Sequence, residues 1–360
     1  WLAGYIALQR LNNPRQAMAH FRNVRTAVNS PISLGRAAYW EGRAAEAAGD
    51  RKAAGAAYAL AAEFQTGFYG QLAAERIGQP MKTDLAGTAK VPDWRSAPFT
   101  RDSRFQAAGL LQAAGARDQA KRFYIALAGS LDATGLAQLG EAALAKGEPN
   151  IALLVAKEAA SRSIVLPRAY FPTMELARLD LPVERALALS IARRESEFDA
   201  GVVSSAGARG LMQVMPGTAA EMTGDRSFVT EPTKLLQPAV NMRLGQAYVN
   251  RMLQLPAFQG DLLRAVASYN AGPGPMLGAI RKLGGDADPL LLIETIDVPQ
   301  ARDYVEKVVA AYWIYQRMFG GPLKTLEAVA SGAPLIPVAL DYVPPAPEPV
   351  QIAQAALIPG

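Results

Sequence analysis

A chain of 360 residues, half of them hydrophobic and 19% charged, can bury a sizeable core in two or three domains, which excludes disorder along its whole length. It has no cysteine and one histidine, His20. That rules out disulfides and thiolate chemistry and leaves no basis for a Ser-His-Asp triad or a His-rich metal centre, so any chemistry falls to carboxylates, hydroxyls or amides. The net charge of +5 is uneven: residues 1–170 carry 21 Lys and Arg against 13 Asp and Glu, residues 171–322 carry 15 against 16, and residues 323–360 carry 1 against 3.

The basic excess of the first half points to an anionic partner. Nucleic acid is not expected, because the basic residues neither cluster nor interleave with aromatics. No apolar run approaches the roughly 18 residues of a membrane-spanning helix. The chain begins at Trp1, and the expectation is that a signal segment has been removed upstream.

Residues 1–160 are rich in Ala, Leu, Gln and Arg, a helix-forming composition. A helix is predicted to begin at Trp40, break at Ala48-Gly49-Asp50 and restart towards Tyr58. The same layout recurs from Ala113-Ala114-Gly115-Ala116 to Phe123-Tyr124. Looser copies stand at Asn12-Asn13-Pro14 and Lys146-Gly147-Glu148-Pro149. A short break followed by Ala and an aromatic is how helix hairpins stack in a solenoid. Residues 1–80 therefore read as the C-terminal part of a larger helical array. Residues 81–170 read as a linker, rich in Pro and Gly between Pro80 and Pro98, and a second helical block.

Composition shifts near Phe171-Pro172, and a helix is predicted from Val183 to Phe198. Its middle is apolar almost all round, which marks a helix through a domain centre. Glu195 shares a face with Leu187 and Ile191 near the C-terminal end. Desolvation and the negative helix end both raise the pKa of such a carboxyl, as a general acid requires. The competing reading is a helix-end salt bridge with Arg194. After Gly320 the chain is read as a Pro-rich extended tail, residues 323–360, culminating in Pro344-Pro345-Ala346-Pro347-Glu348-Pro349.

Four segments follow in order: Glu195-Ser196, then Gly210-Leu211-Met212-Gln213-Val214-Met215, then Ser268-Tyr269-Asn270-Ala271-Gly272, and finally Ile293-Glu294 with Arg302-Asp303-Tyr304. Together they resemble the soluble lytic murein transglycosylases over about residues 171–320. The chain departs from that pattern at Asp199-Ala200, Pro275-Met276 and Gln300-Ala301. The resemblance implies an all-α protein, a helical superhelix followed by a lysozyme-like catalytic domain at 171–322. It makes Glu195 the catalytic acid/base. Ser204, Gln213, Met215, Tyr269, Asn270 and Glu294 would line the glycan groove, with Ser196 and Tyr304 supporting. It implies peptidoglycan strands as partner, no metal or organic cofactor, and a periplasmic location. The expected reaction forms a 1,6-anhydro product, because neither Glu197 nor Asp199 is well placed by helix geometry to be the second carboxylate that a hydrolase needs. The alternatives are a goose-type-lysozyme-like hydrolase and a non-catalytic murein-binding or assembly protein. Residues 171–322 are expected to cleave short glycans alone, with the basic half holding the polymer.

Overall fold

In a computed structural model describing residues 1–174 and 183–341, all four expected breaks in the helical half are formed by a residue with left-handed backbone: Asn12 (φ 47°), Gly49 (78°), Gly115 (75°) and Gly147 (70°). Such a residue ends one helix and lets the chain fold back. The helices that follow are Pro14–Ala27, Arg51–Ala61, Arg117–Ala128 and Pro149–Ser161. Side-chain caps start two of them: Asn13 accepts from Gln16 N at 3.1 Å and Asp50 from Ala53 N at 2.9 Å.

One boundary differs. The helix expected to begin at Trp40 runs Pro31–Ala47, started by a Ser30 cap and a proline in its first turn. Trp40 is thus mid-helix and fully buried, with the rings of Trp1, Tyr5, Phe21 and Tyr39 packed around it.

The two helical blocks relate to the rest of the chain in different ways. Tyr5, Phe21, Trp40, Tyr58 and Leu72 of the first block share one continuous core with Leu187, Ile191, Val305 and Trp313. Phe68 stacks on Trp313 with ring centroids 5.3 Å apart. The second block closes its own core on Phe105, Tyr124, Leu127, Leu139 and Val155, lending Leu153 to the main one. Residues 171–322 therefore share their core with the first block. The Pro299–Met318 helix packs against the Phe68–Arg76 helix of that block and the Thr83–Ala86 turn beyond it.

The tail is corrected as well. Lys324–Ser331 is a helix, and Leu326, Val329 and Ile336 lie in the main core. Leu262 N donates to Ile336 O at 2.9 Å, and buried Asp341 accepts from Tyr312 Oη and Thr325 N, each at 3.1 Å. The Pro344–Pro349 stretch lies outside the described residues.

The all-α expectation is met: among the described residues β pairing is limited to isolated bridges such as Val203 with Arg209 and Arg209 with Val214. Among them, too, no helix is long and apolar enough to cross a membrane. The helix predicted over 183–198 spans Arg185–Glu195. It starts behind Glu184, whose carboxylate accepts from Ala186 N at 3.2 Å. It stops at Glu195 because Glu197 and Phe198 take left-handed backbone, φ 52° and 66°. Against it packs the long Pro299–Met318 helix.

Candidate active site

Glu195 is the last helical residue, half-buried and aimed at the Pro299–Met318 helix. The Tyr304 hydroxyl of that helix donates to Glu195 Oε1 at 2.6 Å. Burial pushes the Glu195 carboxyl up from 4.5 to about 7, while the Tyr304 hydrogen bond and the charge of Arg194 pull the other way. The helix-end salt bridge with Arg194 does not form. Arg194 Nη2 lies 3.2 Å from Asp303 Oδ2, and among the described residues Glu195 has no cationic partner in contact.

The other sequence segments close around this pair. Ser196 Oγ donates to Leu211 O at 2.7 Å, tying the helix end to the Gly-Leu-Met-Gln loop. The Tyr269 hydroxyl donates to Met212 O at 2.7 Å, tying the same loop to the Leu262–Ala271 helix. The Tyr269 and Tyr304 rings lie nearly parallel, 9° apart with centroids 6.5 Å apart, completing the circuit back to Glu195. Burial, then the Glu195 charge, raises both phenols well above their ordinary value. They stay protonated and serve as donors.

Three further residues hold this arrangement: Gly210, from the segment already singled out, and Asn241 and Tyr248, which lie outside the four segments. Fully buried Asn241 accepts from Met212 N at 2.7 Å through Oδ1, and its Nδ2 donates to Arg209 O and Leu235 O at 2.7 and 2.8 Å. Gly210 must be glycine: its φ is 75°, and a Cβ there would lie 2.4 Å from Leu235 O and 2.6 Å from Asn241 Nδ2. Tyr248 packs edge-on against Tyr269, centroids 5.3 Å apart. An Asn amid apolar neighbours in a helical run is the one feature that marks Asn241.

The remaining expected residues separate into three groups. Ser204 and Gln213 use polar atoms on their own loop: Ser204 Oγ accepts from Ala208 N at 3.0 Å, and Gln213 Nε2 donates to Gly210 O and Val202 O at 2.9 and 3.1 Å. Met215 is 41% exposed at the start of the Pro216–Thr223 helix, and Asn270 is half-buried one residue beyond Tyr269.

Glu294 is a correction. It is not a groove residue: its side chain is 1% exposed and lies 2.6 Å from Arg36 Nη2, with the Tyr69 hydroxyl donating to it at 3.1 Å. Arg36 also approaches Glu306 at 3.5 Å and lies over the Trp1 ring. Glu294 joins the first helical block to the second half of the chain, where an unpaired carboxylate would be costly.

The two acids that follow Glu195 are occupied. Glu197 Oε1 lies 2.7 Å from Lys157 Nζ, and Asp199 is bound by Lys121. Burial acts to raise the Asp199 carboxyl, but the Lys121 hydrogen bond, the Gly201 N–H and the charges of Lys121 and Arg117 outweigh it and hold the group below its ordinary value. Glu195, poised near neutrality and bonded to the Tyr304 phenol, is suited to give up a proton and take one back.

A helical array thus precedes the segment that carries Glu195, and residues 175–289 match the family model described as a transglycosylase SLT domain. The chain carries a domain of that family. It is 34% identical over 162 residues to the soluble lytic murein transglycosylase of Escherichia coli K12, covering 44% of this chain and 25% of that protein. A putative soluble lytic murein transglycosylase of Haemophilus influenzae is 28% identical over 257 residues, 70% of this chain and 42% of that one. The fold matches the crystal structure of the 70 kDa soluble lytic transglycosylase of Escherichia coli with TM-score 0.68 at 24% identity, over 88% of this chain and 51% of that one. The chain thus spans about half, or less, of the length of the relatives it matches.

Proposed function

We propose that this chain cleaves the β-1,4 bond between N-acetylmuramic acid and N-acetylglucosamine in peptidoglycan as a lytic transglycosylase, with Glu195 as the single acid/base. The observation that carries the reading is the Glu195–Tyr304 pair: one half-buried carboxyl with a pKa of about 7 and, among the described residues, no cation in contact. The soluble lytic murein transglycosylases that the chain resembles supply the substrate class.

Glu195 protonates the glycosidic oxygen as the bond to the muramic acid anomeric carbon breaks. The N-acetyl carbonyl oxygen of the same sugar stabilises the cationic centre. The sugar's own 6-hydroxyl then attacks that carbon, its proton passing to the Glu195 carboxylate, and a 1,6-anhydro ring forms without water. Tyr304 donates to the carboxylate while it is ionised, which keeps the pKa from rising out of the working range. Glu197 and Asp199 are held by Lys157 and Lys121, so the substrate supplies the second group that a hydrolase takes from a carboxylate. Tyr269, Met215 and Asn270 line the glycan path and Ser204 and Gln213 shape its wall. The partner is the glycan strand, and the place of action is the periplasm.

Glu195→Gln keeps the shape and the Tyr304 hydrogen bond but has no proton to donate. Turnover of purified sacculi should fall by about 10²–10⁴-fold with the circular dichroism spectrum unchanged. Turnover within a few-fold of wild type would remove Glu195 from the reaction.

A further inference from the structure

Glu195 ends its helix, so the direction of its carboxyl is set by the chain immediately beyond. That chain turns sharply through Glu197 and Phe198, two consecutive non-glycine residues with φ of 52° and 66°. Each costs about 1–2 kcal/mol in an L-residue, and such backbone persists only where its surroundings enforce it. Two restraints come from the catalytic half: Phe198 is buried in the main core, and Ser196 Oγ holds Leu211 O.

The others come from the second helical block, which otherwise closes on its own core. Asn150 is 8% exposed at the start of the Pro149–Ser161 helix, and its Nδ2 donates to Glu197 O at 2.9 Å. Lys157, on the same helix, holds the Glu197 carboxylate at 2.7 Å. Lys121, on the Arg117–Ala128 helix, binds the Asp199 carboxylate. Three side chains from one block thus grip the residues that follow Glu195 by two and by four. The Lys157–Glu197 pair is 48% and 39% exposed, a setting where an ion pair adds little to stability. Its effect is on geometry.

Resting on the reading of Glu195 as the general acid, we infer that the second helical block is part of the catalytic apparatus: Asn150, Lys157 and Lys121 are positioning residues that hold the 196–199 turn and so aim Glu195 at Tyr304. They also keep Glu197 and Asp199 engaged, so that neither competes for the reacting sugar. The break at Gly147 places the start of the Pro149–Ser161 helix, and with it Asn150, against the turn.

The groups facing Glu195 are Tyr304 from the Pro299–Met318 helix, Tyr269 from the Leu262–Ala271 helix, and Arg194 from its own helix, itself paired with Asp303. None of these is altered by substitution in the second block. A shift in the Glu195 titration in a second-block variant therefore reports a change in the turn and in the water it admits.

The test is kcat and its pH profile on soluble glycan strands prepared from sacculi, for the full chain and its Asn150→Ala, Lys157→Met and Lys157→Arg variants. Asn150→Ala should lower kcat about tenfold, since small misplacement of a catalytic group is costly, with KM within twofold. Its alkaline limb should move to lower pH as Glu195 becomes better hydrated. Lys157→Met should do the same to a smaller degree, and Lys157→Arg should restore the wild-type profile. Lys157 is 48% exposed, so its variants are expected to fold and to give the result even if Asn150→Ala does not. An unchanged kcat in Lys157→Met, or a lower kcat with an unmoved alkaline limb, overturns the inference while leaving Glu195 as the acid. A wild-type chain that releases no product from the strands instead overturns the underlying reading, and the inference with it.

Discussion

The two helical blocks look alike in sequence, since both are Ala-rich hairpins broken at Gly or Asn, yet they serve the catalytic half by different physics. The first is fused to it. Trp40, Tyr58 and Leu72 share one core with Ile191, Val305 and Trp313, and Arg36, itself partly exposed, bridges to the buried Glu294. The second keeps a core of its own and reaches the turn after Glu195 through side chains, Asn150 and two lysines. The rings of Tyr170 and Phe171, under the Arg193 guanidinium, form the other seam. Apolar fusion is expected to govern stability, and a polar grip to govern geometry.

That contrast is broken most easily by one truncation in each core. Phe68→Ala removes the ring stacked on Trp313 and should cost about 3–5 kcal/mol, lowering the melting of the catalytic half and its activity together. Leu127→Ala, in the second core, should cost about 2–5 kcal/mol, but the loss should fall on the second block alone. Calorimetry should show one early transition with the main transition in place. If both variants shift a single transition, the two cores are one cooperative unit and the contrast fails.

A smaller effect concerns Glu195 itself. Its folded pKa of about 7 lies above its ordinary 4.5, so the folded state binds a proton that the unfolded state has lost between these values. This lowers wild-type stability as pH rises from about 4.5 to 7. Glu195→Gln has no such group. It should melt close to wild type at pH 4 and above it at pH 8, by differential scanning calorimetry. Equal melting at both values would mean the carboxyl is not desolvated.

What could be read in the sequence was local. A left-handed residue acts on its own neighbours, so Asn12, Gly49, Gly115 and Gly147 announced their turns, and the helix carrying Glu195 showed itself through its apolar faces. The segments around Ser196, Met212, Tyr269 and Tyr304 were visible as motifs, and the structure joins them by hydrogen bonds and ring packing. What failed was long-range. Glu294 looked like a groove acid because its partner, Arg36, lies 258 residues away. Residues 323–341 were merged with the prolines beyond them, although Ile336 and Asp341 find their partners at Leu262 and Tyr312. Asn150 and Lys157 reach the turn after Glu195 from 47 and 40 residues upstream, a separation that no pattern in either segment reveals. Trp40 marked the middle of a helix rather than its start, because the Ser30 cap and Pro31 set the boundary.

The central claim is that one carboxyl, Glu195, and the substrate's own hydroxyl complete the reaction. Mass spectrometry of the muropeptides that the wild-type chain releases from purified sacculi tests it most directly. The account predicts products ending in 1,6-anhydro rings, each lighter by one water than the corresponding lysozyme product. Reducing ends as the main product would contradict it, because a water would then have been activated beside Glu195 by a group that the structure shows to be engaged elsewhere.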